Sequence, residues 1–498
     1  MKNAIRVMSL LLALLTLVCI AVSCSTSGDD TAGTTAGNTT QNTSATSETS
    51  APGHPKDIDF KGAPVRILSR DNPGVSDEMG VEDIIGDTIN DAIFDRNLTT
   101  EDRLGVKISN TKLAGGNYVV TEKLRNLVGA QTDDFDVIAN SCYSTIMYSS
   151  EGLFHDLYDL EYLDLDRPYW SQGFNKAASF GNHQYVCAGA VGISFYRYMF
   201  VTVFSQSMLA QFGVENLYDV VSSGKWTLEY QAAVASRMYN DLNGNGEQDA
   251  DDCYGFLSGP MAYVDPYWSA CKLDILTKDN DNRYVYSLNV ERVTSAMDKV
   301  LDLYYKCGGS YIYPAVSDAA DQESIAGHFA DGRAGMCTLR LLAVESQTLR
   351  NMSDVYGIVP VPKLDESQDG YETYVHDQFT CMAVPSTVPD DRLELVGVFL
   401  EVFASESNRE VVPAYYEVAL KSKYLNDPEA CKMLDLIYEN VYIDAGVLYT
   451  KSLNSVHQQL RTIVKSKSNN TATVFRTLSR IIPARLDAVM AGLDKLGK

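Results

Sequence analysis

The sequence predicts an α/β protein built from more than one domain or lobe, and three observations carry that expectation. Its 498 residues exceed the size of one ordinary domain, and 45% are hydrophobic, enough for large cores. From residue 64 onward, short β-branched or apolar runs alternate with helical periodicity, the pattern of parallel strands joined by helices. Residues 324–363 show the pattern most plainly, as a helix end, a buried strand, a short helix and a second strand. There Gly332 can close the helix in the left-handed conformation. Residues 333–339 form the apolar strand, and 341–352 carry helical spacing. Residues 355–361 lead into Pro360 and Pro362, which a central strand does not tolerate. Ligands of open α/β sheets meet the chain beyond the carboxyl ends of strands, here Thr338, Leu339 and Arg340.

At the start of the chain, Lys2 and Arg6 precede an apolar run, 7–21. It is shorter than the ~20 residues of a stable spanning helix and fits a signal-peptide core. The run ends in Ala21-Val22-Ser23-Cys24, small residues before a Cys that resemble a bacterial lipobox, so residues 1–23 are expected to be cleaved and Cys24 lipidated. Residues 24–56 are dominated by Ser, Thr and Gly. Nothing there offsets chain entropy, so a disordered tether is expected, spanning on the order of 30 Å. The net charge of −24 argues against nucleic acid as a partner, because that partner needs a positive footprint. None of the 10 Cys forms a C-x-x-C pair, which leaves a zinc ribbon or thioredoxin-like site unsupported.

In chain order, residues 64–69 read as a first strand. Asp87 caps a helix with Ile89, Ile93 and Leu98 inward, which Gly105 ends. Residues 106–109 are a second strand, 118–128 a helix and 135–139 a third strand. The loops Arg70-Asp71-Asn72 and Asn140-Ser141-Cys142-Tyr143 then open on one face. The run 183–205 is β-like and apolar, interrupted by Tyr196, Arg197 and Tyr198. Thr227 caps a helix running to about Tyr239. Further helices follow at 290–305 and 324–329, a strand at 379–384 and a helix at 391–403. Ser407-x-x-Glu410 is a capping box. Asp427 caps a helix with Pro428 at its first position, and a last helix, 474–493, is kinked or broken at Pro483.

The sharpest chemical motif is Asp241-Leu-Asn243-Gly-Asn245-Gly246-Glu247-Gln-Asp249-Ala-Asp251-Asp252. It matches the twelve-residue calcium loop, with oxygens at positions 1, 3, 5, 9 and 12 and Gly at 6. Asp241, Asn243 and Asn245 would bind Ca²⁺ through side chains, Glu247 through its carbonyl, and Asp249 directly or through water. Asp252 at position 12 is shorter than the usual Glu, and a strand rather than a helix follows. Both departures favour a structural clip over a sensor.

Several phrases resemble one family. They are Phe329-x-x-Gly332-Arg333-Ala334-Gly335-Met336 with Tyr356-Gly357-Ile358-Val359-Pro360-Val361-Pro362, the acid and leucine run leading to Pro168-Tyr169-Trp170, Gly224-Lys225-Trp226-Thr227, and Tyr415-Tyr416-Glu417-Val418. The chain is similar over most of residues 60–495 to family 1 extracellular solute-binding proteins, the receptors of ABC importers. The resemblance implies a two-lobe periplasmic-binding-protein type II fold with hinge-crossing strands and C-terminal helices. Lobe 1 would comprise 57–190 and a return at 356–412, lobe 2 would comprise 191–355, and 413–498 would be helices mainly on lobe 2. It implies a monomeric, lipid-anchored receptor on the outer face of the cell membrane. That receptor would close on a small solute, a carbohydrate or oligosaccharide by family habit, and dock on permease subunits.

Loop position nominates Arg70, Asp71, Tyr143, Tyr196, Trp226, Trp268, Arg340 and His376 as ligand contacts. Arg and Asp can each grip a sugar diol or an acidic group by paired hydrogen bonds, and aromatic rings suit the C–H faces of a sugar; Trp268 is the foremost stacking candidate, with core packing as its alternative. An enzyme stays open as a competitor, since a glycosidase carboxylate pair is a three-dimensional fact. No H-E-x-x-H, G-x-S-x-G or phosphate-binding loop is present. A sensory accessory lipoprotein is the other alternative.

Overall fold

The computed structural model describes residues 58–72, 74–421 and 427–497. Cys24 and the residues read as a signal segment, 1–23, and as a tether, 24–56, lie outside the described residues. The first sheet starts with β1 (Ala63–Asp71), followed by α1 (Thr88–Leu104), β2 (Val106–Ala114), α2 (Val119–Ala130) and β3 (Val137–Ser141). β2 and β3 both pair parallel with β1, Val65 opposite Ile108 and Leu68 opposite Ile138. Parallel neighbours need crossovers, which α1 and α2 supply. Asp87 accepts from the Ile89 and Asn90 amides, and Gly105, at φ 61°, ends α1 in the left-handed region. The buried stripe is Ile89, Ile93, Arg96, Thr100 and Leu104. Leu98, expected inward, falls off that helical repeat and is 47% exposed.

The second sheet belongs to the middle of the chain: β4 (Phe200–Ser205), α3 (Leu228–Ala235), β5 (Tyr254–Ser258), the hairpin β6 (Leu276–Lys278) and β7 (Tyr284–Tyr286), α4 (Val290–Leu301), β8 (Ser310–Ile312), α5 (Asp318–Ala330), β9 (Ala334–Arg340) and β10 (Tyr356–Pro360). The strand order is β10-β4-β9-β5-β8. Of the apolar run 183–205, only β4 forms a strand; Ser194–Arg197 is a short helix, and the rest makes isolated bridges such as Trp170 with Gly189. The helix expected over 341–352 is two short pieces, Leu341–Glu345 and Gln347–Arg350, parted at Ser346, whose side chain caps the second.

The sequence reading returned the chain to the first lobe at 356. Instead β10 pairs antiparallel with β4, from Tyr356 opposite Ser205 to Pro360 opposite Val201, and so closes the second sheet. Pro360 is tolerated because β10 is an edge. The crossing comes later. The Phe200 amide donates to Tyr374 O and the His376 amide to Tyr198 O, after which β11 (Thr380–Ala383) joins β3 antiparallel, giving the first sheet the order β11-β3-β1-β2.

α6 (Asp390–Glu406) is buried along most of its length under the first sheet. It runs on through a wide turn, Ser407–Val411, into α7 (Val412–Lys421), so Ser407 begins no helix; its hydroxyl accepts from Arg96 Nη1 at 2.9 Å. α7 packs on α1, in the first lobe, against the expectation that the C-terminal helices serve mainly the second. α8 (Pro428–Glu439), capped by Asp427 as expected, lies on β10. α9 (Gln459–Ser466) and α10 (Thr471–Leu478) follow, α10 packing on α4. α11 (Ile482–Leu496), with Pro483 in its first turn, packs on Ile146–Glu151 and β7.

Candidate functional site

The crossing segment 374–379 gathers side chains from both sheets. At the carboxyl end of β1, Arg70 Nη2 donates to Gln378 O and, at 3.4 Å, to Thr380 Oγ1. Just beyond β3, the Tyr143 amide donates to Asp377 O at 2.8 Å. At the carboxyl end of β9, Arg340 Nη1 donates to His376 Nδ1 at 3.4 Å. Four of the nominated residues thus converge through three consecutive positions, His376, Asp377 and Gln378. Strand carboxyl ends are where open α/β sheets leave side chains free of the ladder.

Tyr198, one of the polar interruptions in the apolar run, stands between the two arginines. The Arg340 guanidinium lies over its ring, 5.4 Å from the centroid. A Cβ on Gly74, in the loop after β1, would be 3.8 Å from its hydroxyl. Arg340 also donates to Gln322 Oε1 at 2.8 Å and to Asp318 O at 3.4 Å, both on α5. Lys451 Nζ sits over the rings of Tyr143 and Tyr118, at 5.0 and 5.9 Å. No local sequence signal marked Lys451, Asp318 or Gln322.

A charged layer backs this group. Arg461 on α9 grips both oxygens of Asp265, Nε to Oδ1 at 2.8 Å. His457 Nε2 lies 3.6 Å from Asp265 and 3.8 Å from Asp377. His376 Nε2 lies 3.7 Å from Asp377 and 4.0 Å from Asp318. Burial pushes the Asp265 carboxyl up, but Arg461 and His457 outweigh it and hold the group at about 2. Burial, reinforced by the Arg340 charge, holds His376 well below the usual imidazole range. Burial also pushes Asp377 up, against the pull of His457 and Arg461.

The other nominated residues are placed elsewhere. Asp71 is exposed at the end of β1. Tyr196 packs edge-on against Tyr438, 5.8 Å between centroids, beside a small core of Ile193, Val411 and Tyr415. Trp226 is fully buried, its Nε1 donating to Pro360 O at 2.8 Å. Trp268 is not in an irregular segment but in a helical turn, Tyr267–Ala270, 2% exposed, with Nε1 donating to His457 O at 2.9 Å and Phe475 against its ring. The stacking surface expected of Trp268 is occupied by core, and Trp226 has no face left for a ligand. Beside the hinge, a cavity of about 240 Å³ lies between the loop Gly74–Glu78, the start of α1 and Arg197. Arg197 is paired with Glu345 at 2.8 Å and donates to Gly74 O at 3.2 Å, tying the loop after β1 to the one after β9.

The calcium-type loop stands on the far side of the second sheet. Asp241 accepts from the Gly244 and Gly246 amides, Asn243 from Asn245 and Asn245 from Glu247. Gly244 and Gly246, at φ 71° and 77°, make the turn. Asp249 faces the Asn243 and Asn245 amides at 3.1 and 2.8 Å. The oxygens of Asp241, Asn243, Asn245 and Asp249 are of the hard kind that calcium takes, and here each accepts from an N–H of the loop itself. Asp252 does not join them. It is buried, and its carboxylate accepts from the Leu242 and Asp249 amides and the Tyr239 hydroxyl at 3.1–3.3 Å. Among the described residues, no three His, Cys, Asp or Glu side chains converge as a metal site.

Among solved structures the chain is similar to ABC solute-binding proteins. UgpB from Mycobacterium tuberculosis in complex with glycerophosphocholine aligns at 12% identity over 86% of this chain and 100% of its own, with a TM-score of 0.57. ABC substrate-binding protein Lmo0181 from Listeria monocytogenes in complex with cycloalternan aligns at 13% identity over 86% and 98%, TM-score 0.52. A solute-binding protein from Thermotoga lettingae bound with alpha-D-tagatose aligns at 11% identity over 85% and 100%, TM-score 0.52. No protein-family profile and no curated protein sequence matches the chain. The likeness is one of fold: this chain has the two-lobed α/β fold of those solute-binding proteins.

Proposed function

We propose that the chain is the solute-binding receptor of an ABC importer, taking a carbohydrate or oligosaccharide. The observation that carries the reading is the meeting of Arg70 and Tyr143 from the first lobe with Arg340 from the second on residues 376–378 of the hinge crossing. A solute held by residues of both lobes favours the closed arrangement over the open one, by its differential affinity for the two. The sugars bound by the Listeria and Thermotoga proteins support the choice of solute class. Cys24 would carry the lipid anchor, holding the receptor on the outer face of the membrane as a monomer and presenting the closed form to permease subunits. Asp241, Asn243, Asn245, Glu247 and Asp249 would hold a structural Ca²⁺.

A ligand that binds only the native state raises its melting temperature. The test is a thermal-shift screen of the full chain against mono- and oligosaccharides, expected to give a positive shift with at least one. Shifts with a peptide set and none with sugars would overturn the solute class.

A further inference from the structure

The cations around the hinge differ in how they are paired. Arg461 and Arg197, behind and beside it, are each paired with a carboxylate. Arg70, Arg340 and Lys451 form no ion pair among the described residues. Arg70 is 3% exposed, and its Nε–H has no acceptor. Glu78 acts on the Arg70 charge through space but makes no direct ion pair with it, its oxygens accepting from the Ser194 amide and the Thr380 hydroxyl. His376 is 1% exposed; its Nδ1 accepts from Arg340, which leaves the ring hydrogen on Nε2, and that atom makes no hydrogen bond. The buried Tyr374 hydroxyl is unpartnered as well. Two buried N–H groups without an acceptor, Arg70 Nε and His376 Nε2, therefore lie beside two guanidinium groups, one from each lobe, whose own hydrogen bonds go to neutral acceptors. The carboxylates present do not answer them: Asp318 and Asp377 face His376 Nε2 at 4.0 and 3.7 Å, and Asp71 is exposed.

Buried charge persists when something neutralises it, and buried donors persist when something accepts from them. A sugar hydroxyl is both donor and acceptor and carries no charge. A carboxylate or phosphate is acceptor-only at neutral pH and binds guanidinium groups by paired, charge-assisted hydrogen bonds. The rest of the protein runs the other way, with a net charge of −24 that repels anions. Guanidinium groups without a direct ion pair set this place apart from the acidic surface.

We propose that the solute carries an anionic group, a carboxylate or a phosphate, seated between Arg70 and Arg340 against Tyr198, with Lys451 at the rim drawing it in. The inference rests on the receptor reading and narrows its substrate class from neutral to acidic sugars or sugar phosphates. Asp318, whose side chain is 25% exposed, remains to accept from the solute's hydroxyls.

The test is calorimetric titration of the full chain with matched pairs: D-galacturonate against D-galactose, D-glucuronate and glucose 6-phosphate against D-glucose, and inorganic phosphate alone. At least one anionic member is expected to bind about tenfold or more tightly than its neutral parent, and less so at high salt. The uronate and phosphate arms distinguish the two chemistries. Arg340→Gln and Lys451→Met are each expected to erase the preference; Lys451 is only half-buried, so its variant keeps the test valid if Arg340→Gln fails to fold. Equal or tighter binding of a neutral parent would overturn the anionic proposal and leave the receptor reading standing. Absence of binding by every member, with binding of a peptide set, would overturn both.

Discussion

At the scale of the residue, aromatic identity alone does not say whether a ring faces solute or core. Trp268 has the size and the loop-like surroundings of a sugar platform, yet it is 2% exposed, with an edge contact to Phe475 and a hydrogen bond to His457 O. That bond places it behind the charged layer of the cleft, as a support for His457. Trp268→Ala is expected to cost about 3–5 kcal/mol by urea unfolding, the range for emptying a large aromatic site. A loss under about 1 kcal/mol would mean that the indole is not part of the core. Arg340 shows the opposite case. Its place at the end of an apolar strand was enough to nominate it, because strand ends are where α/β sheets release side chains.

At the scale of the element, the loop 241–252 shows what a motif specifies and what it leaves open. Spacing of oxygens and glycines is a short-range property, and the turn follows it. The fate of position 12 is not short-range. Asp252 is drawn inward because the loop runs straight into β5, and its own carbonyl accepts from His328 Nε2 on α5 at 2.9 Å. Chelation with EDTA is expected to lower the melting temperature, and calcium to restore it. Asp241→Asn and Asp249→Asn should abolish the difference. Asp252→Asn should lower the melting temperature with or without calcium, because its carboxylate holds the loop together. An unchanged melting temperature on chelation removes the metal from the account.

At the scale of the whole molecule, the hinge depends on charge. Asp265, in the turn before Trp268, is bound by Arg461 from α9, and the pair borders His457 and Asp377 of the crossing segment. The Asp265 carboxyl is held at about 2, below its ordinary 3.8. The unfolded chain therefore takes up this proton first on acidification. The stability contributed is complete above about pH 4 and is lost as pH falls toward about 2. His376 adds a second window: its folded form resists protonation, so stability should start to decline once pH drops below the ordinary imidazole value of 6.5. Denaturant unfolding at stepped pH is expected to show both declines, and Asp265→Asn to remove most of the lower one. An Asp265→Asn profile parallel to the wild type throughout would contradict the assignment.

Much of the fold was legible because its determinants are local. Asp87 and Gly105 bound α1, Asp427 and Pro428 start α8, and Gly332 closes α5, each through groups a few residues away. Failures came where a local signal competed with packing. Ser407 and Glu410 have capping-box spacing, but the chain is helical on both sides and Arg96 claims the Ser407 hydroxyl. The apolar run 183–205 is buried without being a single strand, since burial supplies the same composition to any backbone shape. By itself the sequence determined the α/β class, the strand ends that could carry a site and the calcium-type turn. Only the tertiary structure decided that the chain crosses back at 374–379 rather than at 356, that the tryptophans are core, and that Arg70 and Arg340 share one segment as unpaired charges. Arg70 and the carbonyl it meets, Gln378 O, are 308 residues apart. No periodicity or spacing encodes a meeting at that distance; it is set by which strand lies beside which.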